Sequence, residues 1–458
     1  MSTSVQSYID QHIKRFESEL FDLLRIPSIS TDSNKKTEVL KAAEFLKAQF
    51  DSSGLQNVTI YPTPGHPIVY GEWLLAGSDK PTVLIYGHYD VQPPDPMDLW
   101  HHDPFDPVVL DGKVYARGAA DDKGQAYIHV KAIEAYLKNG QELPVNVKFL
   151  FEGEEEIGSP NLIPFLEQHK ELLSCDMVLV SDTSMFAEDV PSITYGLRGL
   201  AYMEVMVYGP NRDLHSGVYG GAVANPLNVL CEIVSKLKDE KGIIQIPGFY
   251  DKVVALTQDD REAYKALPFD ETRYRDDLGV AETFGETGYS TLERASARPT
   301  LDMNGMWGGY QGEGAKTVLP AYAGAKISMR LVPDQDPEEI AALFTAHFKK
   351  LAPPSVRVEV TPHHGGYPAV TDLNFYGIKA AAEAFKVIYG KEPLYTREGG
   401  SIPIVASFKN ILGVSTILMG FGLTSDNIHS PNEKFSLKDF HRGIKTSAKF
   451  LEVLPNYY

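Results

Sequence analysis

Three short apolar segments in the first half of this chain each end in acidic residues or histidine. They are residues 82–86, 145–151 and 177–180. Short runs of this kind are typical of parallel strands that are buried on both faces. Parallel strands bring their carboxyl ends to one edge of a sheet, and ligands bind at that edge in open α/β folds. The sequence therefore predicts an α/β fold with one shared site.

The residues that follow the first strand can bind metal. His88 and Asp90 are two apart, so their side chains share one face if the backbone is extended. One imidazole nitrogen of His88 could then bind an ion while Asp90 holds the other nitrogen. The alternative is a structural histidine beside a capping aspartate.

The second strand is followed by four glutamates in five residues, at positions 152 and 154–156. A solvated acidic loop would explain them. A division of labour would also explain them, with one glutamate as a metal ligand and its neighbour as general base. Asp182 follows the third strand, and His429 lies in a polar, turn-forming loop.

Asp121 and Asp122 stand together before a predicted helix over residues 122–137. Asp122 can cap this helix while Asp121 bridges two ions. Five candidate ligands are one more than a closed tetrahedral zinc site uses, and they suffice for two ions that share one carboxylate. The five are His88, Asp121, Glu156, Asp182 and His429.

The length of 458 residues predicts more than one domain. After residue 196 the predicted strands and helices follow the pattern of a smaller α+β domain. Near residue 366 the pattern of the first domain resumes. We therefore expect a discontinuous catalytic domain over residues 1–196 and 366–458. Residues 197–365 would form a smaller inserted α+β domain.

Composition limits the partners. A formal net charge of -18 argues against nucleic acid and against anionic membranes. The two cysteines, Cys175 and Cys231, show no metal or redox spacing and are expected to be buried. With no signal-peptide pattern at residues 1–7, these features favour a cytoplasmic protein.

Taken in this order, the motifs resemble those of the aminoacylase–carnosinase family of co-catalytic metallopeptidases. The strings are GHYDVQP at 87–93, GAADDKG at 118–124 and EGEEEIGS at 152–159. Three further strings resemble the cytosolic nonspecific dipeptidase and carnosinase branch: WHHDPF at 100–105, DLHSG at 213–217 and GGSIP at 399–403.

The resemblance implies two divalent ions per subunit, Zn²⁺ first and Mn²⁺ or Co²⁺ as alternatives. His88 and Asp182 would hold one ion and Glu156 and His429 the other, with Asp121 as the bridge. Asp90 would orient His88, and the peptide bond between Asp121 and Asp122 would be cis. Glu155 would be the general base; Glu154 precedes it, but Glu156 beside Ile157-Gly158 matches the family's ligand position.

The resemblance also implies that the inserted domain is a lid that dimerises. His215 would reach the partner subunit's site and stabilise the oxyanion. Arg330, with Gly400 and Ser401, would bind the terminal carboxylate of the substrate. Asn211 and Thr317 would add polar contacts.

The expected reaction is hydrolysis of short peptides, most simply dipeptides, by hydroxide on the metal pair with Glu155 as base. Three alternatives stay open. They are a deacylase of N-acyl amino acids with the same mechanism, a non-catalytic metal-binding protein, and a phosphoesterase. The last would want more basic residues near the metals than Arg117 and Lys123.

Overall fold

The computed structural model describes residues 3–400 and 402–458, except for the side chains of Thr3 and His364. Its α-helices are α1 (Thr3–Leu24), α2 (Lys36–Ser53), α3 (Lys123–Leu137), α4 (Leu162–Gln168), α5 (Ser216–Tyr219), α6 (Pro226–Val234), α7 (Gln258–Ala266), α8 (Glu271–Leu278), α9 (Thr291–Ser296), α10 (Pro337–Leu351), α11 (Tyr376–Tyr389), α12 (Pro403–Ser407) and α13 (Leu437–Val453).

The strands are β1 (Gln56–Tyr61), β2 (Ile68–Trp73), β3 (Thr82–His88), β4 (Val108–Leu110), β5 (Lys113–Tyr115), β6 (Asn146–Glu152), β7 (Met177–Val180), β8 (Ser184–Met185), β9 (Ser192–Leu197), β10 (Gly199–Tyr208), β11 (Leu214–His215), β12 (Thr300–Gly308), β13 (Val318–Leu319), β14 (Tyr322–Leu331), β15 (Arg357–Gly366), β16 (Ala369–Val370), β17 (Leu394–Glu398), β18 (Ser415–Leu418), β19 (Gly422–Leu423) and β20 (Lys434–Ser436).

The chain divides into two compact units. Unit 1 comprises residues 1–195, 371–396 and 407–458, and unit 2 comprises residues 196–370 and 397–406. The expected boundaries at 196 and 366 lie close to these. One segment differs: Arg397–Ala406, expected in the first domain, belongs to unit 2. The Arg198 guanidinium fixes it there by donating to the carbonyl of Gly399.

Unit 1 is built on a sheet in the order β1-β2-β6-β3-β7-β18-β9. The central strands β6, β3, β7 and β18 run parallel, which confirms the prediction made for the first three. Helix α3 is buried along almost its whole length and packs against α1, α2, α13 and β3. This α/β fold confirms the predicted class and places the carboxyl ends of three strands side by side.

Unit 2 contains an antiparallel sheet in the order β12-β14-β10-β15. Residues of β10 alternate between buried and half-buried, which matches the alternation in its sequence. Helices α6 and α10 pack against this sheet. Helix α6 ends at Val234, and the segment 248–298 contains the short helices α7, α8 and α9. In the part of the chain that is described, no helix is long and apolar enough to cross a bilayer.

Candidate metal centre

The carboxyl ends of β3, β6 and β7 form one edge of the sheet in unit 1. His88 is the last residue of β3 and pairs in register with Glu152, the last residue of β6. Asp182 comes two residues after the end of β7. The local sequence explains the placement, because each apolar strand ends where the first polar residues begin.

Five side chains meet at this edge in two groups of possible metal ligands. The first group is His88, Asp121 and Asp182, and the second is Asp121, Glu156 and His429. Within each group the candidate ligand atoms lie within 4.8 Å of one another. Asp121 belongs to both groups, which is the arrangement expected of a carboxylate that bridges two ions.

The two carboxylate oxygens of Asp121 face different histidines. Oδ1 lies 3.1 Å from Nε2 of His88, and Oδ2 lies 2.7 Å from Nε2 of His429. His429 Nε2 is also 3.2 Å from Glu156 Oε2, and His88 Nε2 is 4.0 Å from Asp182 Oδ2. The backbone of His429 is left-handed, with φ 61°, and Asn427 and Asn432 in the same loop have similar φ angles.

The electrostatics of this edge favour bound cations. Burial, followed by repulsion from Asp121 and Asp122, raises the pKa of Asp182 well above its usual value. Hydrogen bonds to Asp121 and Glu156 raise the pKa of His429 to about 10. The carboxylates thus stabilise positive charge beside them, and imidazole and carboxylate donors of this kind suit Zn²⁺ or Mn²⁺. The donor set therefore fits two divalent ions.

Asp90 connects the two metal-binding segments. Its Oδ1 lies 3.5 Å from Nδ1 of His88, whose ring also contacts the Asp90 carbonyl at 3.1 Å. The same carboxylate accepts hydrogen bonds from the backbone N–H groups of Glu155 and Glu156, at 3.2 and 3.1 Å. Asp90 thus contacts more than the histidine that the sequence assigned to it.

The neighbouring glutamates have different surroundings. Glu154 is buried, and its carboxylate accepts from the backbone N–H of His66 at 3.0 Å and from Asn161 at 2.7 Å. Burial, together with the carboxylates of Glu156 and Asp121, raises the pKa of Glu155 to about 7. The carboxylate of Glu154 is therefore occupied by structural hydrogen bonds, which supports Glu155 rather than Glu154 as the base.

Asp122 differs from its expected role as a helix cap. Its side chain makes no capping hydrogen bond to α3; Oδ2 accepts instead from the backbone N–H of His88 at 3.3 Å. The peptide bond between Asp121 and Asp122 is cis, as the family resemblance implied. Asp122 thus holds the end of β3, where His88 lies.

Two residues that contact the candidate ligands were missed in the sequence. Gln92 donates to Glu156 Oε2 at 2.8 Å. Glu433 accepts from the backbone N–H of Asp121 at 3.1 Å. Gln92 stands two positions after Asp90, and Glu433 stands four positions after His429. Their closeness in sequence to residues already assigned to the site was the signal that could have found them.

In unit 2, His215 and Thr317 lie on adjoining segments. His215 pairs with Val318 across β11 and β13, and the carbonyl of Thr317 accepts from the N–H of Ser216 at 3.1 Å. The ring of His215 is exposed, and its Nδ1 accepts from the N–H of Gly217 at 2.9 Å. A neutral ring with an accepting Nδ1 carries its proton on Nε2, which is then a donor. Asn211 is exposed four residues before His215.

The other predicted substrate contacts belong to unit 2 as well. Arg330, on β14, lines a cavity of about 620 Å³ together with Arg198, Ser328 and Asp302. Burial, followed by the nearby Arg330 charge, lowers the pKa of Arg198 to about 10. Gly400 follows Gly399, whose carbonyl accepts from Arg198 at 3.0 Å. Ser401 lies outside the described residues.

Comparison with known proteins agrees with this architecture. The model of peptidase family M20/M25/M40 matches residues 84–453. Cys-Gly metallodipeptidase DUG1 of Saccharomyces cerevisiae is 35% identical over 98% of this chain and 97% of its own length. Human Beta-Ala-His dipeptidase is 33% identical over 98% of this chain and 87% of its own length.

Among solved structures, the M20 family metallo-carboxypeptidase Sso-CP2 of Sulfolobus solfataricus superposes with a TM-score of 0.86. It is 35% identical, and the match covers 96% of this chain and 99% of that one. The chain therefore belongs to peptidase family M20/M25/M40 and is a hydrolase.

Proposed function

We propose that this protein hydrolyses the peptide bond of dipeptides at a centre of two divalent metal ions. The observation that carries the proposal is the pair of ligand groups that share Asp121. The two curated relatives described above, which are named as dipeptidases, span nearly the whole chain and support the same substrate class.

In this proposal His88 and Asp182 hold one ion, Glu156 and His429 hold the other, and Asp121 bridges them. When bound, the ions would polarise the scissile carbonyl and activate water for attack. Zn²⁺ is the first choice for two imidazole and three carboxylate ligands, with Mn²⁺ and Co²⁺ as alternatives.

Glu155 takes a proton from the attacking water and passes it to the leaving amine. It belongs to neither ligand group, and its neighbour Glu154 is engaged in structural hydrogen bonds. Asp90 accepts from the backbone N–H groups of Glu155 and Glu156, so its carboxylate holds the base and the neighbouring ligand in fixed positions relative to each other.

His215 donates a hydrogen bond from Nε2 to the oxyanion that forms at the carbonyl carbon. The bond from Gly217 to Nδ1 supports this assignment, because it leaves the proton on Nε2. Arg330, with Gly400 and Ser401, binds the terminal carboxylate of the dipeptide, and Asn211 and Thr317 contribute polar contacts. Recognition of the terminal carboxylate favours short peptides as substrates.

The protein is also proposed to form a homodimer through unit 2, with His215 serving the partner subunit's site. Strand β15 lies at one end of the unit 2 sheet, where it could extend the sheet of another copy. Beside it, Ala341, Ala342 and Ala346 of α10 line an open cavity of about 710 Å³. Sedimentation at micromolar concentration tests this, and a monomer would contradict it.

A cytoplasmic location remains a proposal. Both cysteines are free thiols, which supports a reducing compartment. Neither is fully buried, contrary to expectation: Cys175 is half-buried and Cys231, on α6, is exposed. The short amphipathic helix α6 turns Cys231 away from the apolar face that contains Leu230 and Ile233.

The experiment that tests the proposal is hydrolysis of a small substrate panel by metal-stripped protein re-supplied with Zn²⁺ or Mn²⁺. The panel contains Cys-Gly, β-Ala-His, Ala-Ala and an N-acetyl amino acid. Metal-dependent cleavage of the dipeptides is expected. Cleavage of the N-acetyl amino acid alone would overturn the dipeptidase assignment in favour of a deacylase, and no cleavage with either metal would overturn both.

A further inference from the structure

The carboxylate of Glu433 is buried and accepts hydrogen bonds from one short loop. Oε1 accepts from the backbone N–H groups of Ala120 and Asp121, at 2.9 and 3.1 Å. Oε2 accepts from the N–H of Gly118 at 3.0 Å and from the guanidinium of Arg117 at 2.7 Å. Charge-assisted bonds of this kind are among the stronger ones in proteins, so the carboxylate defines the path of the loop.

Glu433 also belongs to the segment that contains His429. Its own carbonyl accepts from the N–H of Ala116 at 3.1 Å, which continues the pairing of β20 with β5. One residue therefore joins the loop of Asp121 to the loop of His429 through both its backbone and its side chain. The Arg117 side chain, which also contacts the ring of Trp100, supplies the counter-charge that burial of Glu433 requires.

We propose that Glu433 is the positioning residue that holds the shared ligand Asp121 in place for both metal ions. The inference rests on the two-ion centre of the proposed function. Asp121 is the member common to both ligand groups. Loss of the Glu433 carboxylate would leave several buried N–H donors without acceptors, and the loop would move to reach water. Both ions would then bind more weakly.

Gln92 provides the matched comparison. It donates to Glu156, which belongs to the second ligand group and not to the first. Removal of this contact should weaken one ion and spare the other. The two variants therefore differ in the number of ions affected, a difference that a general loss of stability would not produce.

The experiment uses the full-length protein, stripped of metal and titrated with Zn²⁺ against a chromophoric chelator. Wild type, Glu433→Gln and Gln92→Leu are compared, with folding checked by circular dichroism. In Glu433→Gln both ions should bind about 10- to 100-fold more weakly, as is usual for loss of an outer hydrogen-bond partner of a ligand. In Gln92→Leu one ion should bind as in the wild type. Activity of Glu433→Gln should recover at high Zn²⁺, with KM close to the wild-type value.

A folded Glu433→Gln protein that binds both ions with wild-type affinity would overturn the inference, even if its melting temperature falls. If this variant does not fold, Glu433→Asp, which keeps the charge but shortens the side chain, is judged by the same criterion. Hydrogen exchange of the metal-free wild type is independent of any variant. The amides of Ala120 and Asp121 should exchange slowly there, and fast exchange would overturn the inference. A wild type that binds fewer than two ions would instead contradict the proposed function.

Discussion

The carboxylate of Asp90 accepts a hydrogen bond from the backbone N–H of Glu155, the proposed general base, at 3.2 Å. The same carboxylate lies 3.5 Å from the ring of His88. One side chain thus contacts both His88, the candidate ligand at the end of β3, and Glu155, the proposed base that follows the neighbouring strand β6. This relation makes the geometry of the centre sensitive to Asp90 beyond its contact with histidine.

Replacement of Asp90 by asparagine should therefore impair both metal binding and turnover. Asparagine has one acceptor oxygen where aspartate has two, so it cannot bind the N–H groups of Glu155 and Glu156 and also hold His88. We expect a loss of about 10- to 100-fold in metal affinity and in kcat. Chelator competition and kcat at saturating metal measure the two effects. Wild-type values for both would show that Asp90 is dispensable.

Glu155→Gln should lower kcat by about 100- to 10,000-fold, the usual contribution of a general base. Metal content should stay at the wild-type level, because Glu155 belongs to neither ligand group. Glu154→Gln is the matched control. It should lower the melting temperature, since Glu154 is buried against His66 and Asn161, and change kcat far less. If Glu154→Gln lowers kcat far more than Glu155→Gln does, the base is Glu154.

Much of this centre was predictable because the signals are local. The apolar runs that become β3, β6 and β7 end next to the residues that meet in space. The strand ends therefore indicated His88, the glutamate cluster and Asp182, and the family resemblance selected Glu156 from that cluster. The contacts around them were not predictable in the same way. Glu433 and Asp121 are separated by 312 positions, and no sequence pattern indicates that a carboxylate will accept from a particular loop.

Two local interpretations failed for the same reason. Asp122 precedes a helix, as a capping residue does, yet its carboxylate accepts from the His88 amide on a neighbouring strand. Arg397–Ala406 looked continuous with the first domain, but the side chain of Arg198 binds this segment within unit 2. In both cases a contact distant in sequence outweighs the local preference.

His215→Ala should reduce kcat by about 100- to 1,000-fold, the cost of losing one oxyanion donor, with metal content unchanged. The exposed Lys265 on α7 of unit 2, which belongs to neither β15 nor α10, is the control, and Lys265→Ala should keep its kcat. Equal effects of the two substitutions on kcat would argue against an oxyanion role for His215.

The proposed dimer makes a sharper prediction for the same residue. If His215 serves the partner subunit's site, a mixed dimer of His215→Ala and Glu155→Gln subunits contains one complete site. Co-refolding of the two inactive variants at equal amounts should then restore about a quarter of wild-type activity, because half of randomly paired dimers are mixed. Activity at the level of the separate variants would place His215 in its own subunit's site or exclude the dimer.

His129 on α3 makes the stability of unit 1 depend on pH. Its Nε2 and Nδ1 each lie 2.8 Å from a serine hydroxyl, of Ser181 and Ser447 respectively. The Ser181 hydroxyl already donates to the carbonyl of Met419 at 2.6 Å, so it must accept from Nε2–H of the histidine. With a neutral ring, the hydroxyls of Ser181 and Ser447 and the carbonyl of Met419 all have hydrogen-bond partners. Burial lowers the pKa of His129 to about 3.

The sign of the effect follows from proton uptake. The unfolded chain protonates this histidine below pH 6.5, its ordinary pKa, whereas the folded protein keeps it neutral down to about pH 3. Its contribution to the free energy of unfolding is thus complete above pH 6.5, and it falls by up to about 1.4 kcal/mol per pH unit as the pH decreases through this window. His129→Asn should be less stable than wild type at pH 7.5 and lose less stability on acidification. Urea unfolding of both metal-free proteins between pH 7.5 and 5 measures the two slopes. Parallel slopes would show that His129 takes up a proton in the folded protein as readily as in the unfolded chain.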